Sequence, residues 1–443
     1  MKYKHSILVS LISLCVYTGL FAQTPAPSWA KDAVIYEVNI RQYTPEGTFN
    51  AFVEHLPRLQ AMGVDILWLM PVQPIGELNR KGSLGSYYSI QNYTTTNPEF
   101  GTIKDFKKLV EEAHKHDMYV ILDWVGNHTS WDHAWITDHP EYYTTDKNGK
   151  IIPPVADWTD VADLNFDNMN LRKAMIHDMA FWIKETNIDG FRCDVAMMIP
   201  DAFWQYAFNE MREIKPELFM LAEGEGPQFI KDGFNMVYAW DRHHAMNKIA
   251  QRKGTIDHLD SLVMKDIANY ATGSIYMNFT SNHDENSWNG TEFERMGAGA
   301  RAFATVSATL PGMLLIYSGQ EVGLDRRLKF FDKDSIQWVD DKQFTPFYTK
   351  LISIKTDNPA LWNGTEGGSY RRVACEDKDT YVYVREKDGN KVLVIANLSE
   401  DMKQVYFNNE GGKYVNAMTG KKQKVKAAAK VSLMPWEVKV LVQ

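Results

Sequence analysis

Cysteine is scarce: three in 443 residues, at Cys15, Cys193 and Cys375. None shows metal-ligand spacing, so neither a zinc module nor a disulfide scaffold fits. Basic excess is also missing. Lys+Arg is 48 against Asp+Glu 56, a formal net charge of −8. With no basic stripe, a nucleic-acid partner is not expected. No segment beyond the N-terminus is long and apolar enough to span a membrane. No HExxH or His-cluster spacing occurs, and His243-His244 and His114/His116 read as solvated pairs. No repeat or low-complexity tract is present. Charged residues are 23% and hydrophobic residues 44%, values of an ordinary globular chain with a large core. Aromatics are plentiful, with 13 Trp and 21 Tyr, enough to pack a core and also to stack on a flat ligand.

The first 22 residues have the layout of an export signal. Lys2, Lys4 and His5 precede an apolar run, Ile7–Phe21, and Ala22 offers a small residue for cleavage. The expectation is an exported protein, periplasmic or secreted, whose mature chain begins near residue 23.

Eight short apolar runs follow, most of them leading into a helical pattern. They are Val34–Val38, Asp65–Met70, Met118–Asp123, Gly190–Asp194, Leu218–Glu223, Phe234–Val237, Ser274–Thr280 and Met313–Tyr317. Helices are expected at Asn50–Met62, Lys104–His116 and Leu171–Thr186. This alternation predicts an α/β chain, a (β/α)8 TIM barrel. A doubly wound sheet would need a Gly-rich phosphate turn after the first strand, where Asn39-Ile40-Arg41-Gln42-Tyr43 stands instead. The expected domains are a barrel over 23–128 and 171–358, an inserted domain over 129–170 after strand three, and a C-terminal antiparallel β-sandwich over 359–443. The last rests on Thr380–Arg385, Lys391–Ala396, Gln404–Phe407 and Val438–Val442.

Barrel active sites sit at the C-terminal strand ends. There the chain places Asp123 and His128, Arg192 and Asp194, Glu223, and His283 and Asp284. Packing several carboxylates together is costly unless they serve a purpose. Glycoside hydrolysis supplies one: an oxocarbenium-like transition state wants negative charge, one carboxylate attacks, and another delivers a proton. Arg192 lies two residues before Asp194, on the same strand face, and an Arg beside a carboxylate favours its ionised form. Asp194 is therefore the expected nucleophile.

These residues resemble the signature regions of glycoside hydrolase family 13, the α-amylase family. Asp123…Asn127-His128, Gly190-Phe191-Arg192-Cys193-Asp194, Glu223 and Asn282-His283-Asp284 are similar to four of its regions in order, and Ala162-Asp163-Leu164-Asn165 to a fifth. The segments Tyr87–Tyr93 and Asn97–Thr102 resemble the stretch after the family's second strand. The resemblance implies Asp194 as nucleophile, Glu223 as acid/base and Asp284 as transition-state stabiliser. It implies substrate contacts from Tyr88, which stacks on the sugar, and from His128 and His283, with Asp123 and Arg192 supporting the site. The chemistry needs no cofactor. A structural calcium is implied at Asn127 and Asp163, oxygen ligands that suit it.

Departures bear on substrate. Val195-Ala196-Met197-Met198 follows the nucleophile where many α-amylases have Ala-x-Lys-His, and Val195 is more like neopullulanases, cyclomaltodextrinases and oligo-1,6-glucosidases. Ser89 and Asn92 stand at the two Asp positions of the Tyr-Asp-x-x-Asp-Tyr of many members, which counts against a strict exo-glucosidase. The leading expectation is a retaining, endo-acting hydrolase of α-1,4-glucans or maltooligosaccharides. The alternative is an enzyme for short or branched maltodextrins, with possible glycosyl transfer; a non-catalytic glucan-binding protein ranks last. Of Trp131, Trp135 and Trp158 in the insertion, at least one is expected to stack on a glucose ring. The sequence leaves oligomeric state open.

Overall fold

The computed structural model describes residues 24–443 except 409 and 427; the expected export signal lies outside them. Eight parallel strands close a barrel: β1 (Ile35–Val38), β2 (Ile66–Leu69), β3 (Tyr119–Trp124), β4 (Gly190–Cys193), β5 (Phe219–Ala222), β6 (Met236–Tyr238), β7 (Ile275–Asn278) and β8 (Met313–Tyr317). β8 returns to β1 with Ile35 opposite Leu315. The eight apolar runs of the sequence are these strands.

Strand periodicity divides each run into two sets of side chains. Val34, Tyr36, Leu67, Leu69, Val120, Leu122 and Phe191 face outward into the core shared with the helices. Ile35, Ile66, Trp68, Ile121, Phe219, Leu221, Ile275 and Met277 fill the barrel interior. Continuing the interior parity to the strand ends puts Glu37, Asp123, Arg192, Asp194 and Glu223 above that plug. Gly190 opens β4 because a Cβ there would stand 1.8 Å from the Phe219 carbonyl oxygen.

The helix expected over Asn50–Met62 is two helices, Phe49–Val53 and Leu56–Met62. Pro57 cannot donate to the preceding turn, so the chain restarts there with Pro in the first turn. The other two expected helices span Ile103–Lys115 and Met169–Thr186.

After β3 the chain forms a two-stranded pair, His128–Ser130 against Val161–Asp163, with short helices between them. At the C-terminus lies an antiparallel six-stranded sheet in the order Ser369–Arg372, Thr380–Lys387, Asn390–Asn397, Val438–Val442, Gly412–Asn416, Lys422–Val425. One face packs Tyr381, Tyr383, Val392 and Val394 against Phe303 and Val306 of a barrel helix. The other packs Val382, Val384, Leu393 and Ile395 against Val405, Phe407 and Leu433 of a second, two-stranded sheet, Lys403–Asn408 with Ala428–Leu433. Cys193 and Cys375 are both free. Among the described residues no helix is long and apolar enough to cross a membrane.

Candidate active site

A cavity of about 570 Å³ opens above the barrel, lined among others by Tyr88, His128, Asp194, Glu223, His283 and Asp284. Six of the eight residues chosen from sequence therefore face one space. Asp123 and Arg192 are the other two, fully buried directly beneath it.

Arg192 is the hub. Its Nη1 donates to Asp123 Oδ1 and Asp194 Oδ1, both at 2.9 Å. Its Nη2 lies 2.9 Å from Glu223 Oε2, an ion pair held off the hydrogen-bond axis. Nε donates to the Tyr238 hydroxyl at 3.2 Å, and the guanidinium lies over the Trp68 ring at 5.0 Å. A buried cation with three carboxylates leaves the cluster net negative. Burial, and then the charge of Glu223, push the Asp194 carboxyl up, while Arg192 pulls it down.

A second chain of contacts crosses the floor. Asp123 Oδ2 accepts from Trp68 Nε1 at 3.2 Å and from the Tyr88 hydroxyl at 3.0 Å. The Tyr88 oxygen lies 2.8 Å from His283 Nε2. His283 Nδ1 pairs with Glu37, and Asp284 Oδ2 is 3.4 Å from Nε2. Burial opposes charge on His283, but Asp284 and Glu37 more than offset it and hold the imidazole up at about 9. At neutral pH both ring nitrogens therefore donate. His128 is different: burial outweighs the charge of Asp160 and lowers it to about 4.

Glu37 was not chosen from the sequence. Its signal was a single acid in the wholly buried run Val34–Val38, at interior parity. Trp288, on the π-helical turn Glu285–Asn289, and Phe330 and Phe331, on the loop after β8, also line the cavity, and no periodicity flags them. Of the three insertion tryptophans, Trp158 faces the cavity, against His128. Trp131 donates its Nε1 to the Thr159 carbonyl, and Trp135 packs against Tyr93, His133 and Tyr142; neither lines that cavity. His243 corrects the expectation of a solvated pair: it is fully buried, with Nε2 3.0 Å from Glu285 Oε2. His114 likewise meets Asp189 at 2.8 Å.

Val195 has φ 36° and ψ 47°. A β-branched residue in the left-handed region is strained. The turn aims the Val195 N–H at Glu223 Oε2, 2.6 Å away.

Asn127 and Asp163 are brought together where Leu164 N–H donates to the Asn127 carbonyl at 3.1 Å. Among the described residues no group of three His, Cys, Asp or Glu side chains could hold a metal ion. A metal at Asn127 and Asp163 would find one carboxylate and otherwise neutral oxygens, a donor set for calcium and not for a transition metal.

The family model for the alpha-amylase catalytic domain matches residues 15–151 and 155–407. The chain belongs to the α-amylase family. A crystal structure of an alpha-amylase from Lactobacillus plantarum superposes with a TM-score of 0.85 at 30% identity, covering 94% of this chain and 99% of that one. A noncanonic maltogenic alpha-amylase from Thermotoga neapolitana gives 0.86 at 27% identity, with 94% and 99% covered. Alpha-amylase 3 of Dictyoglomus thermophilum is 25% identical over 86% of this chain and 88% of its own length. The alpha-amylase MalA of Haloarcula japonica is 27% identical over 86% of this chain, which spans 58% of MalA's length. The catalytic-domain match takes in the strand-end acids, Arg192 and Tyr88.

Proposed function

We propose that the chain is a retaining α-glucan hydrolase that cuts α-1,4-glucosidic bonds of starch or maltodextrins through a covalent glycosyl-enzyme. The observation that carries this is the convergence of Asp194, Glu223 and Asp284 on one cavity, above a buried arginine in contact with the first two. Asp194 attacks the anomeric carbon, and the Asp194 C–O bond forms as the glycosidic C–O bond breaks. Glu223 gives its proton to the departing oxygen, then takes one from the water that attacks the intermediate. Asp284 faces the developing cation with negative charge. Tyr88 and Trp158 offer ring faces to pyranose C–H groups, and His128 and His283 offer hydrogen bonds to hydroxyls. The two displacements return the α-configuration.

A second reading, hydrolysis of short or cyclic maltodextrins with transfer to another sugar, is favoured by the apolar Met197 and Met198, 55% and 39% exposed, beyond Val195. They follow Val195 at the positions where the family resemblance implies contact with the leaving sugar, and the similar proteins include one named cyclomaltodextrinase, from Thermoanaerobacter pseudethanolicus. Export to the periplasm or medium accords with the basic and apolar start of the chain. A calcium at Asn127 and Asp163 would brace the insertion against the barrel and take no part in the chemistry. Product analysis on soluble starch, pullulan, cyclodextrin and panose separates the readings. A β-anomer as first product, followed by proton NMR, excludes the retaining mechanism.

A further inference from the structure

The loop after β2, residues 77–86, crosses one rim of the cavity and is fastened at both sides. Toward the insertion, Lys81 Nζ lies 3.0 Å from Asp160 Oδ1 and donates to the Asp157 carbonyl at 2.8 Å. Glu77 N–H donates to Asp132 Oδ2 at 2.8 Å. Toward the loop after β8, Ser83 donates from N–H and Oγ to Asp332 Oδ1 at 2.9 and 2.6 Å. Leu84 N–H donates to the Phe331 carbonyl at 2.9 Å. At Gly82 the contact is backbone-close: with φ 65°, a Cβ there would stand 2.4 Å from Phe331 Cβ. From beneath, Arg41 donates to the carbonyls of Gly85 and Leu84 at 3.1 and 3.2 Å.

The proposed chemistry orients a chain in this space. The leaving chain departs on the side of the acid Glu223 and Val195. The retained, non-reducing part lies on the other side, along Tyr88 and the aromatic loop after β8. There Tyr88 and Phe330 stack at 6.2 Å, Phe330 and Phe331 meet at 5.1 Å, and Phe331 touches the strap at Gly82. Two ring contacts thus join Tyr88 to the strap, which leaves little room for a retained glycan. A longer glycan would have to pass through the strap.

We infer that the strap 77–86, clamped by Lys81 to Asp157 and Asp160 and by Ser83 to Asp332, closes the non-reducing side of the cleft, so that the enzyme releases glucose or maltose from chain ends rather than cutting internally. This rests on the proposed hydrolase reading, and replaces the endo-acting expectation of the sequence.

The test compares maltoheptaose with maltoheptaose blocked by a benzylidene group at its non-reducing end, with products resolved by chromatography. The intact protein should release one or two glucose units from the free heptaose, and act on the blocked one roughly a hundredfold more slowly. Cleavage of both within about threefold, or first products of three or more units, overturns the strap while the hydrolase reading stands. Cleavage of neither overturns the hydrolase reading, and this inference with it. Replacing Lys81→Ala with Ser83→Ala should raise the blocked-to-free rate ratio about tenfold. Asp332→Asn, which loosens one clamp only, serves if that variant does not fold. An unchanged ratio in a folded variant refutes the clamp as the cause.

Discussion

Replacing Glu37 by Gln removes one charge and almost no volume from the floor of the site. Glu37 is fully buried, and its pairing with His283 is one of two anionic contacts holding that imidazole at about 9. Moving a histidine from its ordinary 6.5 to about 9 is, at ~1.4 kcal/mol per tenfold in proton affinity, worth about 3 kcal/mol. His283 titrates higher in the folded than in the unfolded chain. Its contribution is therefore complete below pH 6.5 and is lost as pH rises through about 9. Burial also raises Glu37 itself, with His283 opposing, and that contribution too fades with rising pH. Glu37→Gln removes the second and only the Glu37 share of the first, since Asp284, the larger raising charge, remains. The stability advantage of the parent protein over the variant should shrink by up to about 3 kcal/mol between pH 6.5 and 9, measured by urea unfolding at intervals across that range.

The same change has a catalytic readout. The amide oxygen of the variant can still accept from Nδ1, so the ring stays in place. With Glu37 gone and Asp284 left, His283 loses its proton at lower pH than in the parent, and once neutral it has one donor, so Nε2 accepts from the Tyr88 hydroxyl, which turns away from Asp123. The basic limb of kcat/KM should move to lower pH, with about a tenfold loss at pH 8, the scale of one charged hydrogen bond. An unchanged basic limb together with parallel stability curves would refute the view that Glu37 sets the charge of His283.

Asp194→Asn should lower turnover by about four orders of magnitude or more with an unaltered unfolding midpoint, and a fluorinated glycosyl donor should label Asp194 alone; full activity in the folded variant defeats the assignment. Trp158→Ala should raise KM about tenfold at constant thermal midpoint, whereas Trp135→Ala should lower the midpoint, since its ring packs within the insertion. Val195→Gly should relieve about 1 kcal/mol of backbone strain yet slow the reaction, because a looser turn aims the N–H at Glu223 less firmly. Chelation with EDTA should leave initial rates unchanged and act, if anywhere, on the thermal midpoint.

The barrel was legible because its strands are buried on both faces and read as unbroken apolar runs. The C-terminal sheets were legible where that held, or where apolar and polar residues alternated cleanly, as in Gln404–Phe407. Thr380–Lys387 and Asn390–Asn397 stood out, while Lys422–Val425 and Ala428–Leu433 did not. Lys422–Val425 is an edge strand, and both carry lysine on a solvent-facing side that blurs the pattern. The acids at the strand ends were readable because parity and position placed them. Glu37 obeys the same parity and could have been found by it. Trp288, Phe330, Phe331 and the strap residues could not, since their places depend on loops closing across the rim, and no local period records that.

Arg192 shows why the chemistry was nevertheless readable from so few positions. One guanidinium, held over Trp68, meets Asp123, Asp194 and Glu223 within 2.9 Å each. A single cation offsets only part of three carboxylates, and Asp284 adds another, so the site stays negative where a cationic sugar forms. The burden of that charge falls on Asp194, which burial and Glu223 push up. In the proposed mechanism glycosylation would relieve it, because the Asp194 oxygen would then be bonded to carbon and carry no charge. Arg192 is left facing Asp123 and Glu223, and Glu223 stands as the carboxylate that takes the proton from water. The alternation between acid and base thus needs no movement of a side chain. In the resting site Arg192 meets both carboxylates at once, and in the proposed glycosyl-enzyme it would face Glu223 and Asp123 without a charged Asp194.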